Sequence, residues 1–330
     1  MGKKHHVSLL SPWQKLIALL QFEKETINYV FVYAVLIGLI GLTLPLGVTA
    51  VYNLLSNGAI FSSTYILIGA VLLGVIIGGL LLIGQLTLVE SIEQRIFTRT
   101  SIEFAYRLPR IKKTELVDEY PPELVNRFFD ILTIQKGLVK LLVDIVAACV
   151  TILFSAVLLS FYHPVFIGFG ILIVLAIILT LGLYYRQGLY SSIEESEHKY
   201  ALVGYLEEVA SELDKYDSKE KKDEIIEHAD KITSQYLVAR NSHFSVLRKF
   251  FKSSLILRTL LMGALLLLGS YFVVNREMTL GQFVAAEVII VQISYSIEKL
   301  MTSMDTVFDM VTGSEKLAVV TDLELEDEKH

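Results

Sequence analysis

The sequence predicts an all-α membrane protein, six long transmembrane helices with cytoplasmic extensions, and three observations predict it. The 330 residues are 53% hydrophobic and only 19% charged, where a soluble domain carries about a quarter. The deficit is concentrated: no Asp, Glu, Lys or Arg occurs from Thr26 to Val89 or from Ile145 to Tyr185, and a spanning helix needs about 20 apolar residues. Proline-free helical patterning then runs on well past the apolar windows, so the helices are expected to outrun the bilayer.

Residues 1–25 read as an N-terminal cytoplasmic or interfacial segment. Met1–Leu10 is basic but is followed by Pro12, Trp13 and charged residues. This lacks the continuous apolar core of a cleavable signal peptide, so the first spanning helix is expected to direct insertion. Leu10, Trp13, Leu16, Ile17 and Leu20 recur at helical spacing within Leu9–Phe22. Such a helix either lies in the membrane interface with Trp13 at headgroup level or packs on the protein's own surface. His5 and His6 are adjacent on the chain end and lack the spaced ligand set of a metal site; no metal is expected.

The six-helix domain is assigned to residues 26–312. Helix 1 covers Thr26–Leu55, kinked by Pro45 with Gly47, and Ser56-Asn57-Gly58 forms a tight turn. Helix 2 enters near Thr64, with Ala70, Gly74 and Gly78 spaced so that a neighbour can approach closely. Continuous helix from Thr64 to Arg107 would be about 66 Å long, against a hydrocarbon core of about 30 Å. Helix 3 covers Gly137–Phe161 and overruns if begun at Pro122. His163-Pro164 is a short turn before helix 4 at Val165. Helices 4 and 5 leave and re-enter through the charged, proline-free stretch Gln187–Lys249, helix 5 crossing at Lys252–Val274. Helix 6 runs from beyond Glu277 to about Val311, and residues 313–330 are assigned to a linker or tail.

Charge orients the bundle. The connections Ser56–Ser63, Tyr162–Pro164 and Asn275–Thr279 hold one basic residue, Arg276. By the positive-inside rule the opposite side, with both termini, is cytoplasmic. Two hairpins therefore project into the cytoplasm. Their tips are interrupted at Ile111–Pro122, where Pro121-Pro122 ends one helix and starts the next, and near Ala210–Ser218.

The lone Cys149 sits in an apolar stretch and reads as a buried small hydrophobe. A net charge of −6, with no basic stripe interleaved with aromatics, excludes a nucleic-acid partner. Ionisable groups inside the membrane are costly and default to functional candidates. Arg258 and Lys299 read as snorkelling to the inner interface. Asp144 reads as an ion-pair partner for one of them, or as a substrate contact. Glu287 faces a polar cavity or the external mouth, with Gln292 and Tyr295 as companions; Asp144, Glu287, Gln292 and Tyr295 are the cavity candidates.

Particular residues also carry a family likeness. Arg107–Ile134 (RLPRIKKTELVDEYPPELVNRFFDILTI) resembles the stretch after helix 2 in type I ABC exporters, with Glu123, Leu124, Arg127 and Asp130 at the family's positions. Asn275–Ile290 resembles the external turn and opening of the last helix, and Lys316–Glu326 the linker toward the ATPase domain. Leu206–Tyr216 and Gln235–Phe244 resemble the second coupling region and return helix of the secretion-type bacterial branch, although Glu212 and Asp214 make this coupling segment acidic.

The resemblance implies the type I ABC exporter transmembrane fold in a bacterial inner membrane, surrounded by lipid. It implies two copies of the chain, an ABC ATPase domain or subunit, and, in the secretion branch, a periplasmic adaptor. It assigns Leu116, Val117, Asp118, Glu119 and Tyr120, and Ser211, Glu212, Leu213, Asp214, Lys215 and Tyr216, to coupling with the ATPase. The sequence contains no G-x-x-x-x-G-K-[ST] phosphate loop and no ABC signature, so no catalytic residue or cofactor is expected here. ATP and Mg would bind a separate subunit or a domain of a longer polypeptide. The competing readings are a scaffold or regulator that kept the exporter shape, and a six-helix channel. A channel would need a filter loop or an Arg-ladder helix, and neither pattern is present.

Overall fold

A computed structural model describes residues 11–55, 62–112, 114 and 121–326. Eleven α-helices follow one another: α1 Pro12–Leu20, α2 Lys24–Gly41, α3 Thr43–Leu55, α4 Ser62–Arg107, α5 Pro121–Asn126, α6 Asp130–Val139, α7 Val146–Ser160, α8 Val165–Ser211, α9 Lys219–Val274, α10 Leu280–Thr302 and α11 Met304–Asp322. They join into six rods long and apolar enough to cross a membrane. The described residues contain no strand, only one bridge between Ile111 and Leu325. The chain is an all-α, multi-pass membrane protein.

The breaks in the rods have local causes. Pro45 has no N–H to bond the Gly41 carbonyl, and its ring crowds that carbonyl; α2 ends at Gly41 and α3 begins at Thr43. The kink thus falls one turn before the proline. Rod 3 is the least regular. It runs α5, a 3₁₀ turn at Arg127–Phe129, α6, a π-helical turn at Lys140–Ile145, then α7. In rod 6, Thr302 Oγ1 donates to the Glu298 and Lys299 carbonyls at 2.9 and 3.2 Å, back-bonding of the kind that bends helices, and Ser303 separates α10 from α11.

Rods 2, 4 and 5 overrun as the sequence implies. At 1.5 Å per residue α4, α8 and α9 span roughly 70 to 85 Å, and an apolar slab of about 30 Å takes about 20 residues of each. The apolar windows place that slab at the end of the bundle where the interhelical turns are short. Its segments are about 26–50, 64–89, 145–161, 165–185, 255–274 and 280–298. Residues 90–140, 187–250 and 300–322 form a stalk beyond it.

In the membrane half α10 is central, packing on α3, α7 and α9, with α2 on α4 and α7, and α7 on α8. The lipid-facing sides of α4 and α8 are lined with exposed residues such as Ile66, Leu80, Leu175 and Leu179. Lipid gives helices no hydrophobic reason to associate, so close approach through small residues matters. A side chain on Gly74 would sit 2.6 Å from Thr43 Oγ1, and Gly78 lies beside Ile40, whereas Ala70 is exposed and packs nothing. The short turns are tied together. His163 stacks on Phe272 at 3.9 Å and its Nε2 lies 3.3 Å from the Glu277 carboxylate. Arg276, with φ of 60°, takes the left-handed position of a Schellman cap: the N–H groups of Arg276 and Glu277 donate to the Val273 and Phe272 carbonyls.

In the stalk α11 is the hub. It packs on α6, α8 and α1 and buries Val307, Phe308, Met310, Val311, Leu317 and Val320. Residues 313–322, assigned above to a linker, are therefore packed helix. Glu324 and Glu326 then exchange backbone bonds with Lys112 and Arg110 (3.0 and 2.7 Å). Helix α1 starts with a capping box between Ser11 and Gln14 and packs on the protein itself. Leu16 is fully buried, and the Trp13 indole donates to the Tyr185 hydroxyl. Just after α1, the buried Glu23 carboxylate is held by Arg95 and Arg99 at 3.0 and 3.4 Å.

Candidate functional site

The four cavity candidates do not converge. Asp144 lies in the π-helical turn of rod 3, and its carboxylate is bridged by Lys140 and Lys299, each at 2.8 Å. Lys299 is thus engaged with Asp144, and Arg258 donates to Glu298; the two cations expected to snorkel each carry a carboxylate partner. Gln292 turns toward Gly41 at the break in rod 1, with its amide oxygen buried and unpaired.

Glu287 and Tyr295 behave differently. With Val291 they stand four residues apart along α10, one stripe of a helix, and all three are exposed, Tyr295 by 71%. Among the described residues no ion pair or hydrogen bond reaches Glu287 or Tyr295. The buried faces of α10, through Ala285, Ala286, Ile289, Ile290, Ile293 and Ile297, are occupied by α3, α7 and α9. The stripe is what this packing leaves over. It puts a carboxylate and a phenol inside the slab on an unpartnered surface. Cys149, expected to be buried, is exposed on α7.

The first hairpin tip, Leu116–Tyr120, lies outside the described residues. The second is well defined. Helix α8 ends at Ser211, Leu213–Lys215 make one 3₁₀ turn, and Ser218 caps α9 by accepting from the Lys221 N–H. Lys215 pairs with Glu212, and Lys221 Nζ donates to the Lys215 carbonyl. Ser211 and Asp214 are exposed, Glu212 and Tyr216 are partly covered, and Leu213 is 68% exposed at the very end of the rod. A rigid stalk therefore presents one apolar side chain on a charged turn.

A third cluster, which sequence reasoning missed, lies inside the stalk. Arg127 and Asp130 of the first-hairpin motif are buried, and Asp130 accepts from the Tyr200 hydroxyl of α8. Burial pushes the Asp130 carboxyl above its ordinary value. A cavity of about 120 Å³ opens beside it, lined by Glu195, Lys199, Arg240 and Asp309 among others. Burial, together with the neighbouring Asp305 charge, pushes Asp309 up to about 6. His243 of α9 closes the group: its ligand atom and those of Asp305 and Asp309 all lie within 4.8 Å of one another. Asp305 and Asp309 stand one helical turn apart. That spacing is visible in the sequence, but the alignment of α9 against α11 is not.

No protein-family model matches the sequence, and no curated protein matches it significantly.

Proposed function

We propose that this chain is the membrane-spanning subunit of an ATP-driven exporter of the type I ABC class. Two copies would enclose a cavity that opens alternately to either side. An ATPase domain or subunit outside these residues would drive it through the hairpin tips. The observation that carries the reading is the Glu287–Val291–Tyr295 stripe. A carboxylate facing lipid is costly, so this face needs a polar cavity or a second copy, and an exporter dimer supplies both. The rigid overrun of the rods also supports it, since a stalk ending at Leu213 can transmit rigid-body motion to the slab. With Arg276 as the one basic residue among the short connections, the stalk side is cytoplasmic and the membrane is the bacterial inner membrane. Peptide or protein cargo, and a periplasmic adaptor, belong to the same reading.

The test uses Val291→Cys in a Cys149→Ser background, in native membranes. A membrane-impermeant maleimide should label position 291, and a short bifunctional crosslinker should join two copies there. Labelling should change when the partner ATPase is given ATP. Labelling by lipid-soluble maleimide alone would place the stripe against lipid and overturn the reading. A crosslinked pair with ATP-independent labelling would favour a non-transporting scaffold.

A further inference from the structure

We propose that His243, Asp305 and Asp309 form a divalent transition-metal site that clamps α9 to α11 inside the stalk.

The hydrogen bonds fix the histidine's tautomer. Ser191 has one hydroxyl proton, and its Oγ donates to the Gly188 carbonyl at 3.0 Å. The same Oγ lies 2.9 Å from His243 Nδ1. With its proton committed, the hydroxyl accepts there, so Nδ1 carries hydrogen and Nε2 presents a lone pair. His243 is 0% exposed. Its Nε2 faces Asp305 Oδ1 at 3.4 Å, and both atoms are buried without a hydrogen-bond partner. Two lone-pair donors thus confront each other in the protein interior, where an unpaired polar group is expensive. A cation between them resolves the conflict. The spacing suits a metal: two ligands each about 2.1 Å from a tetrahedral zinc ion stand roughly 3.4 Å apart.

The surroundings agree. A metal-bound histidine ordinarily donates its other N–H to a neighbour that fixes the ring, and Ser191 does so here. Asp309 brings a second carboxylate from the next turn of α11. The nearest cation, Arg240, is engaged with both oxygens of Glu195, at 3.1 and 3.2 Å, and Lys199 lines the far side of the cavity. That cavity borders Asp309 and leaves room for a water as fourth ligand. Imidazole with carboxylates suits zinc and its neighbours rather than magnesium or calcium, which prefer oxygen alone.

The experiment uses untagged full-length protein in detergent, stripped with chelator and titrated with Co²⁺ and Zn²⁺. One equivalent of Co²⁺ should bind with a tetrahedral d–d spectrum, be displaced by Zn²⁺, and raise the unfolding temperature. Asp305→Asn and Asp309→Asn should lose it. Ser191→Ala, which leaves the ligands in place, should weaken affinity about 10- to 100-fold. His5→Ala with His6→Ala should leave binding unchanged. Absence of a bound equivalent in the wild-type protein would overturn the site, as would undiminished binding in both aspartate variants; the group would then be a proton-mediated histidine–carboxylate contact.

Discussion

The two halves of rod 6 are built on opposite plans. Helix α10, in the slab, gives three sides to its neighbours and leaves the Glu287–Val291–Tyr295 stripe bare. Helix α11, in the stalk, is surrounded and buries eleven of its residues, Phe308 and Val311 among them. The difference follows from solvent. In water, burying apolar surface holds helices together; in lipid that force is absent, and packing, small residues and polar pairs must substitute. A rod anchored at one end and incompletely covered at the other suits transmission of movement. The sharpest test of the comparison is the same truncation in each half. Phe308 packs against Tyr185, His243 and Phe250 and occupies the space a side chain on Gly188 would need. Phe308→Ala should cost about 3–5 kcal/mol, whereas the exposed Tyr295→Ala should change stability by less than about 0.5 kcal/mol. Denaturant unfolding in detergent measures both. Equal losses would mean that the stripe is part of the packed core.

This asymmetry was only partly legible in the sequence. The six rods, the kink from Pro45 and the overrun of α4, α8 and α9 could be read because length, apolar content and proline act locally. The π-helical turn around Asp144 has no comparable signature. The burial of residues 313–322 was missed because LAVVTD, flanked by charges, has the composition of a linker as readily as of a stalk helix, and only the approach of α6 and α1 decides. The His243 group was invisible for the same reason: its members lie on rods whose mutual alignment no local pattern encodes. Conversely, Arg127 and Asp130 were quoted for family likeness, and the structure gives them a physical task, joining the two hairpins near the Asp130–Tyr200 contact.

A smaller effect is expected at the seam between the halves. Asp144 receives Lys140 from its own rod and Lys299 from rod 6, so it ties the two rods where slab meets stalk. Hydrogen bonds to charged groups contribute about 1.5–3 kcal/mol each, less where side chains remain partly exposed, as both lysines do. Asp144→Asn should therefore destabilise by about 1–2 kcal/mol. In a double-mutant cycle with Lys299→Gln the two losses should be clearly less than additive. Strict additivity would show that the Lys299 contact contributes nothing, leaving rod 6 tied to rod 3 by apolar packing alone.

The smallest predicted effect separates the halves by titration. The charge-free window that ends at Val89 carries no ionisable carboxylate, but one turn into the stalk Glu93 has a buried oxygen without a hydrogen-bond partner. Burial first, and the neighbouring Glu90 charge second, push its carboxyl up to about 7 from an ordinary 4.5. The folded chain then holds this proton more tightly than the unfolded chain. Linkage makes the sign definite: the contribution to stability is fully present below pH 4.5, falls as pH rises from 4.5 through 7, and is flat above. Glu93→Gln keeps the shape and removes the charge, so the variant should lack this component of the pH dependence and unfold at a higher temperature than the parent at pH 8. Thermal unfolding of both proteins between pH 4.5 and 8 measures it. Parallel curves would mean that water reaches the Glu93 carboxylate, and that the stalk is less tightly closed at the slab boundary than the burial of α11 below it suggests.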